Sequence, residues 1–257
     1  MEIKLNINKS IEENASQYFD NVKKLKKKLE GAKIALNMSK EKLEKLQKED
    51  NVKQVQINKN FNIKKEWYEK FRWFYSSEGF LCIGGRDATT NEIIIKKYTE
   101  KNDIVFHTDM AGSPFFVIKV EDKKPTENTL NEVAQTTASF SKAWKLGLTT
   151  LDVFYVNPDQ VTKEAVSGEF LSKGSFMIKG KTNYIKPEIK LGIGVKDNKI
   201  MCGALNAIKK HCNEYYILIP GQDKPSDIAK KLSKKFNIHS DEIIRAMPAG
   251  NSKLNKE

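Results

Sequence analysis

Residues that could bind an anion occur together at Gly84-Gly85-Arg86-Asp87, between a strand-like run and a predicted helix start. Glycines let backbone N–H groups approach a phosphate, a helix N-terminus is partly positive, and arginine can clamp a phosphate with two hydrogen bonds. The alternative is a tight turn in which Arg86 and Asp87 pair with each other or cap the helix. Residue types alone favour the turn.

His107 and Asp109 are two residues apart in a strand-like segment, which places both side chains on one face. We favour an internal hydrogen bond between them that fixes the turn before Gly112. Contact with a base or a phosphate is the second interpretation. A zinc site is the least favoured, because His211 and His239 show no ligand spacing with this pair.

Gly180-Lys181-Thr182 is similar to the end of a phosphate-cradling loop. That loop needs a glycine where this chain has Ser175, and Gly174 lies one residue too early, so nucleotide hydrolysis is excluded. Lys173, Lys179, Lys181 and Lys186 predict either a basic rim or ordinary solvated lysines. The aromatic residues between Trp67 and Tyr75 could stack on bases, although core packing is the favoured interpretation.

Nothing in the sequence calls for an enzyme. No Ser-His-Asp, Cys-His or paired-carboxylate set is recognisable, so we expect no catalytic residues, no metal and no cofactor.

The chain has an odd number of cysteines, Cys82, Cys202 and Cys212, and they lie in or beside apolar runs, as reduced intracellular thiols do. No stretch approaches the roughly 18 apolar residues of a membrane span, so we expect a cytoplasmic protein without a membrane partner. The formal charge of +12 favours a polyanionic partner, nucleic acid first.

Residues 22–46 contain an apolar seam with alternating three- and four-residue spacing, which predicts a coiled coil within a helix from Tyr18 to Glu49. Its positions are Val22, Leu25, Leu29, Ala32, Leu36, Ser39, Leu43 and Leu46. The seam needs either a returning helix or a second copy of the chain, and the segment from Ile63 to Phe71 is the short candidate for a returning helix. Residues 50–62 read as a loop or a frayed segment, and the lysine-rich faces of the helix would suit a phosphate backbone.

The remainder predicts an α/β fold of the mixed α+β kind. A hairpin is expected around Ser77-Glu78-Gly79, and a helix from Thr90 to Tyr98 after the capping pattern Thr89-x-x-Glu92. One helix from Thr129 to Lys145 should end at Gly147. Further strands are predicted at 104–107, 115–120, 153–156, 175–178, 189–195, 200–202 and 215–219. Ser226 should cap a helix, and a short helix from Ser240 should precede a polar tail.

The order WYEKFRWF, then GGRDA..NE, then H.D..GSP resembles the RNA-binding domain of the NFACT proteins (NFACT-R), a family of ribosome-associated quality-control factors. The resemblance continues through Ser141-Lys-Ala-Trp144, Val161-Thr-Lys163, Gly168-Glu169 and Gly174-Ser-Phe-Met-Ile178. It implies that the Gly84–Asp87 segment contacts RNA. It also implies two partners, the large ribosomal subunit RNA and tRNA at stalled nascent chains.

These observations predict an N-terminal coiled-coil helix followed by a mixed-sheet, NFACT-R-like domain. The predicted boundaries are 1–62 for the coiled-coil arm and linker, 63–250 for the RNA-binding domain and 251–257 for the tail. The predicted RNA contacts are Arg86, Asp87, Asn91, Lys96, Lys97, His107, Asp109, Lys173, Lys179 and Lys181. Family members also have a large N-terminal domain, which we expect to be missing here, so the chain is either a fragment or a natural short form. A nucleic-acid-binding adaptor unrelated to stalled ribosomes is the alternative function.

Overall fold

A computed structural model of the chain describes residues 5–57, 66–164 and 172–255. The chain divides into two compact units, Met1–Asn62 and Ile63–Glu257. The Gly168-Glu169 motif and residues 58–65 lie outside the described residues.

The first unit contains helix α1, Ile11–Ile57. It begins before the predicted Tyr18 because Ser10 and Glu13 form a capping box: Glu13 N donates to Ser10 Oγ (3.1 Å) and Ser10 N donates to Glu13 Oε2 (2.9 Å). It also continues past Glu49, so the loop predicted from residue 50 is wrong as far as Ile57. Asp and Asn lower helix propensity by only about half a kcal/mol each, which does not end a long helix.

The large apolar side chains of the α1 seam are exposed from Val22 to Leu43. Val22, Leu25, Leu29, Leu36 and Leu43 are between 46% and 64% exposed. The segment from Ile63 to Phe71, the candidate returning helix, contains no α-helix where it is described. Trp67–Lys70 forms a single 3-10 turn. A coiled-coil partner or self-association therefore stays a prediction.

The second unit combines twelve strands and six helices within the described residues. The strands are β1 (Arg72–Tyr75), β2 (Leu81–Gly84), β3 (Ile104–Thr108), β4 (Phe116–Ile118), β5 (Val153–Val156), β6 (Val161–Thr162), β7 (Met177–Ile178), β8 (Asn183–Ile185), β9 (Leu191–Lys196), β10 (Lys199–Gly203), β11 (Tyr215–Asp223) and β12 (Ser252–Asn255). The helices are α2 (Ala88–Lys97), α3 (Glu127–Ser139), α4 (Lys142–Leu146), α5 (Leu205–His211), α6 (Pro225–Phe236) and α7 (Ser240–Ala246).

The larger sheet has the strand order β1-β2-β4-β3-β5-β8, and a second sheet has the order β10-β9-β11-β12. The mixed α+β class and the long N-terminal helix are confirmed. All pairings between the described strands are antiparallel, so the sheets are not mixed as predicted. Short connections such as Ser76–Phe80 explain this, because parallel neighbours need a long crossover.

Each face of the larger sheet has its own apolar core. On one face, Phe71, Ile83, Val105 and Val117 pack with Ile94 of α2. The other face packs against α3 and the second sheet in a larger cluster, whose members include Phe74, Phe106, Phe116, Val133, Trp144, Leu191, Ile193, Ile208, Ile228 and Leu232. Helix α2 and the turns at that edge of the sheet therefore rest on a rigid two-sided core.

The predicted helix from Thr129 to Lys145 is broken. Helix α3 ends at Ser139, and Ser141 begins α4 by accepting a hydrogen bond from Ala143 N (3.1 Å). A serine that bonds to nearby backbone competes with a continuous helix, which is why the break falls here. The predicted stop at Gly147 is confirmed by its left-handed conformation (φ 70°). The break places Phe140 between the two helices.

The segment after Gly250 is not a polar tail where the structure describes it. Strand β12 pairs with β11, and Trp144 Nε1 donates to the Ser252 hydroxyl (3.1 Å). Ser252 is fully buried. The predicted tail from 251 is therefore part of the second sheet up to Asn255, because a buried indole N–H needs an acceptor.

Candidate nucleic-acid interface

The Arg86 side chain is bonded to the backbone of its own domain. Its Nε donates to Lys70 O (3.1 Å), one terminal nitrogen donates to Phe71 O (2.7 Å), and the other donates to Arg245 O. Burial, and then the nearby charges of Arg72 and Arg245, lower the pKa of Arg86 to about 10. Arg86 thus ties the 3-10 turn before β1 to the C-terminal end of α7, and neither a phosphate clamp nor a pair with Asp87 describes this geometry.

Asp87 is the N-cap of α2. It accepts hydrogen bonds from Thr90 N (2.8 Å) and Thr90 Oγ1 (3.0 Å), and the backbone bond from Thr90 is the largest cause that lowers its pKa. The predicted capping box at Thr89 and Glu92 is wrong, because the helix starts two residues earlier with Asp87 in that role. The alternative that Asp87 caps the helix is therefore the one observed.

The two glycines before Arg86 allow close packing. A Cβ on Gly85 would lie 1.8 Å from Asn91 Oδ1, and a Cβ on Gly84 would lie 2.4 Å from the Phe116 ring. Asn91 is buried; it accepts from Phe115 N (3.1 Å) and donates to Ser113 O (3.4 Å). These glycines and Asn91 lock α2 onto the end of β4.

His107 does not bond to Asp109. Its Nε2 donates to Ser113 O (3.1 Å), and its ring stacks on Phe115 with centroids 4.0 Å apart. Burial is the main cause that lowers its pKa. Asp109 is exposed and accepts from the Tyr184 hydroxyl (3.3 Å). The favoured His–Asp hydrogen bond is therefore wrong, although His107 does fix the turn that contains Gly112, through Ser113.

A cleft of about 440 Å³ opens beside these residues. We call it the first cleft. Six of the predicted contact residues line it: Arg86, Asp87, Asn91, His107, Asp109 and Lys173. The other predicted lysines, Lys96, Lys97, Lys179 and Lys181, do not line it. A second cleft of about 440 Å³ shares Arg72, Arg86 and Phe140 with the first.

Two of the lysines outside the cleft are paired with carboxylates. Lys96 lies 2.6 Å from Glu92, and Lys179 lies 2.5 Å from Glu164. The side chains of Lys97, Lys173 and Lys181 are exposed. Exposed ion pairs contribute little stability, so Lys96 and Lys179 can exchange their carboxylates for an incoming phosphate. The other three lysines are directly accessible to one.

Arg72 was missed by the sequence analysis. It lies on β1, on the same side as the fully buried Phe74, and its guanidinium carbon is 4.3 Å from the centre of the Phe140 ring. Strand alternation could have identified it, because residues 72 and 74 face the same side and a charge beside a core phenylalanine needs a reason. Burial lowers the pKa of Arg72 to about 10, so it stays charged at neutral pH.

Most of the clustered aromatic residues belong to the core, as favoured. Phe71 and Phe74 are fully buried, and Tyr68 is nearly so. Trp67 is 44% exposed and stacks on Tyr98 with ring centroids 4.9 Å apart and planes 5° apart. Trp67 therefore already has an aromatic partner on one of its faces.

The three cysteines are unpaired and buried, and burial raises the pKa of each thiol, to about 12 for Cys202 and about 11 for Cys212. Across the parts of the chain that the structure describes, no group of three or more His, Cys, Asp or Glu side chains is arranged to hold a metal ion. None of the helices described there is long and apolar enough to cross a membrane.

Fold and cleft together define a basic α+β domain with an open cleft lined by cationic, polar and aromatic side chains. Residues 70–180 match the family model of the NFACT protein RNA binding domain, so this segment of the chain is an NFACT-R domain. The resemblance identified from the sequence motifs is thereby confirmed.

Three relatives carry names of the Rqc2/NEMF family. The chain is 41% identical over 211 residues to the archaeal Rqc2 homolog aRqcH of Methanocaldococcus jannaschii, covering 79% of this chain and 31% of that protein. It is 39% identical over 180 residues to the ribosome quality control complex subunit NEMF of Homo sapiens, covering 68% and 16%. It is 39% identical over 134 residues to ribosome quality control complex subunit 2 of Schizosaccharomyces pombe, covering 50% and 13%. The chain spans less than a third of each relative.

Proposed function

We propose that this chain is a non-catalytic, RNA-binding component of ribosome-associated quality control that binds the large ribosomal subunit and tRNA at stalled nascent chains. The observation that supports it best is positional. Every residue that lines the first cleft lies between Arg72 and Ile178, within the 70–180 range of the RNA-binding family model. The charge of +12 suits a polyanionic partner.

The direct test is sucrose-gradient sedimentation of tagged full-length chain with cell lysate, followed by sequencing of the bound RNA. We expect the chain to migrate with free large subunits and to recover their RNA together with tRNA. Recovery of unrelated RNAs in the light fractions alone would favour the alternative, a nucleic-acid-binding adaptor not tied to stalled ribosomes.

Helix α1 supplies a separate, lysine-rich surface that we assign to the ribosome. Exchanging Lys23, Lys24 and Lys26 for glutamine should lower cosedimentation with large subunits about tenfold, because each lost phosphate contact weakens electrostatic binding. Binding of a free structured RNA to the globular unit should change little. The matched control exchanges three exposed lysines of the globular unit, Lys101, Lys123 and Lys124. Equal losses for both triple variants would show that only total charge matters.

The chain alone should not extend a stalled nascent peptide without a template. The resemblance places the residues tied to that activity in the family's N-terminal domain, and Arg86 and Asp87 are engaged in backbone hydrogen bonds. In a reaction with stalled large subunits and charged tRNA, we expect binding without a longer peptide. A lengthened nascent chain would overturn the non-catalytic assignment.

An enzyme is the second candidate, because Arg86, Asp87, His107 and Asp109 do line one cleft. The hydrogen bonds above assign three of these groups to the fold: Arg86 to backbone carbonyls, Asp87 to the start of α2 and His107 to Ser113. Of these four side chains, only that of Asp109 is exposed and has no backbone hydrogen-bond partner among the described residues. One carboxylate is not an acid–base pair, so binding is the better supported function.

A further inference from the structure

Arg72 is a charged group whose hydrogen-bonding capacity is largely unused. Its Nε donates to Gly85 O (3.2 Å), and no carboxylate of the described residues lies within ion-pair distance of it. In those parts of the chain, every fully buried side-chain nitrogen has a hydrogen-bond partner. The terminal amino groups of Arg72 have none, so they are not fully buried and are open to the clefts that Arg72 lines. Arg86 adds a second positive charge beside it. The Asp87 carboxylate acts on both guanidinium groups, but neither has a carboxylate of the described residues within ion-pair distance, and two such cations at one boundary favour an anion there.

Apart from the shared Phe140, the first cleft is lined by different aromatic residues from the second, which has Trp67 and Trp73. Of the two clefts, Phe115, Phe154 and Phe176 line only the first. Phe115 and Phe154 are only 3% and 5% exposed, whereas Phe176 is half-buried and meets Phe115 edge to face with centroids 5.4 Å apart. Tyr184 is 55% exposed and contacts Phe154 at the same place, through an edge-to-face arrangement at 5.9 Å. Rings beside an arginine are the surface on which unpaired bases stack.

Size and charge restrict what could enter. A volume of about 440 Å³ is at the lower end for small-ligand sites, which leaves room for a single nucleotide and not for a base pair. The carboxylates of Asp87 and Asp109 also line the cleft and would repel a run of phosphates. Asp87 is engaged as the cap of α2 and is balanced by Lys173, whereas Asp109 lies beside Tyr184. A monophosphate fits this balance better than a polyphosphate.

We propose that the first cleft receives one unpaired nucleotide of the bound RNA, with its phosphate on Arg72 and its base against Phe176. This inference rests on the proposed function and specifies its chemistry. It assigns the sequence-independent contacts of the RNA to the lysines outside the cleft. The cleft itself selects single-stranded over fully paired segments.

The test uses the full chain labelled with ¹⁵N-glycine. Gly85, Gly112 and Gly174 line the first cleft, whereas Gly147 and Gly192 do not and report general effects. Titration with adenosine monophosphate should shift the three cleft signals saturably. Adenosine alone and inorganic phosphate alone should each bind about tenfold more weakly or worse, since each lacks one of the two contacts. No shift of the cleft glycines, or equal shifts with phosphate alone, would overturn the proposal.

Two variants identify the phosphate contact. Arg72→Gln should weaken binding of adenosine monophosphate about tenfold or more, the value of one charge-assisted hydrogen bond. Lys123→Ala is the matched control that also removes one positive charge and should bind as the parent does. If Arg72→Gln does not fold, the exposed Lys173→Ala replaces it and should weaken binding about threefold. Unchanged affinity in the folded variant used contradicts the assignment.

The same protein preparation separates the two proposals. If the parent chain binds structured RNA and large subunits but adenosine monophosphate leaves the cleft glycines unmoved, the nucleotide site is wrong and the proposed function stands. If the parent chain binds neither RNA nor subunits, the proposed function fails, whatever the mononucleotide does.

Discussion

The affinity of the full chain for a structured RNA is expected to fall about 250-fold between about 50 and about 200 mM monovalent salt, as neutralisation of about five phosphates predicts from a slope near −4. The charge of +12 includes basic runs on two separate units, at residues 23–28 of α1 and at residues 173–186 and 230–235 of the globular unit. Release of condensed counterions from the RNA gives this slope, which depends on the number of contacts and not on sequence.

The measurement is a set of binding isotherms at four or more salt concentrations, with the slope taken from log affinity against log salt. The α1 variant that lacks Lys23, Lys24 and Lys26 separates the contributions of the two units, because it leaves the globular lysines unchanged. A slope near zero would falsify the electrostatic part of the argument. Absence of binding at the lowest salt would remove RNA as the partner.

The strands of the globular unit were predictable because their patterns are strong and local. The hairpin at Ser77-Glu78-Gly79 and the strand at 104–107 are confirmed, with Gly79 at φ 90° where a side chain would be strained. Short exposed strands such as β8 gave no usable pattern. Residues 252–255 were misread because a polar strand at a sheet edge looks like a tail.

Helix ends were less predictable because they depend on single hydrogen bonds. Ser226 was expected to cap α6, whereas Lys224 is the N-cap and Pro225 occupies the first turn, where a missing N–H costs nothing. The break at Phe140–Ser141 likewise follows from one serine hydroxyl. Apolar periodicity runs across such breaks and therefore does not reveal them.

The predicted contact residues were brought together only in part, and their individual bonding was not foreseen. The motif identified the first cleft, and six predicted residues line it. Their roles depend on distant partners: Arg86 bonds to Arg245, and Asn91 bonds to Ser113. Arg72 was overlooked because its importance comes from Phe140, which is 68 positions away along the sequence. Which residues are free to meet a ligand is thus a property of tertiary structure.

Exchange of Arg86 for alanine is expected to destabilise the globular unit by about 3 kcal/mol, in contrast to a simple loss of RNA affinity. The substitution leaves the carbonyls of Lys70, Phe71 and Arg245 without their donor. It also disconnects the 3-10 turn before β1 from α7. The charge that it removes is already engaged within the fold, so its direct contribution to RNA binding should be small.

Urea unfolding followed by tryptophan fluorescence measures this effect, because Trp67 and Trp73 lie in the second cleft beside Arg86. Arg86→Lys should recover less than half of the loss, since an ammonium on a straight chain does not reproduce the planar fork that reaches three carbonyls. Lys173→Ala removes an exposed charge in the first cleft, which Arg86 also lines, and is the matched control; it should change stability by less than about 0.5 kcal/mol. Arg86→Ala of parental stability but with lost RNA binding would restore the phosphate-clamp interpretation, because the three backbone hydrogen bonds would then contribute nothing that unfolding measures.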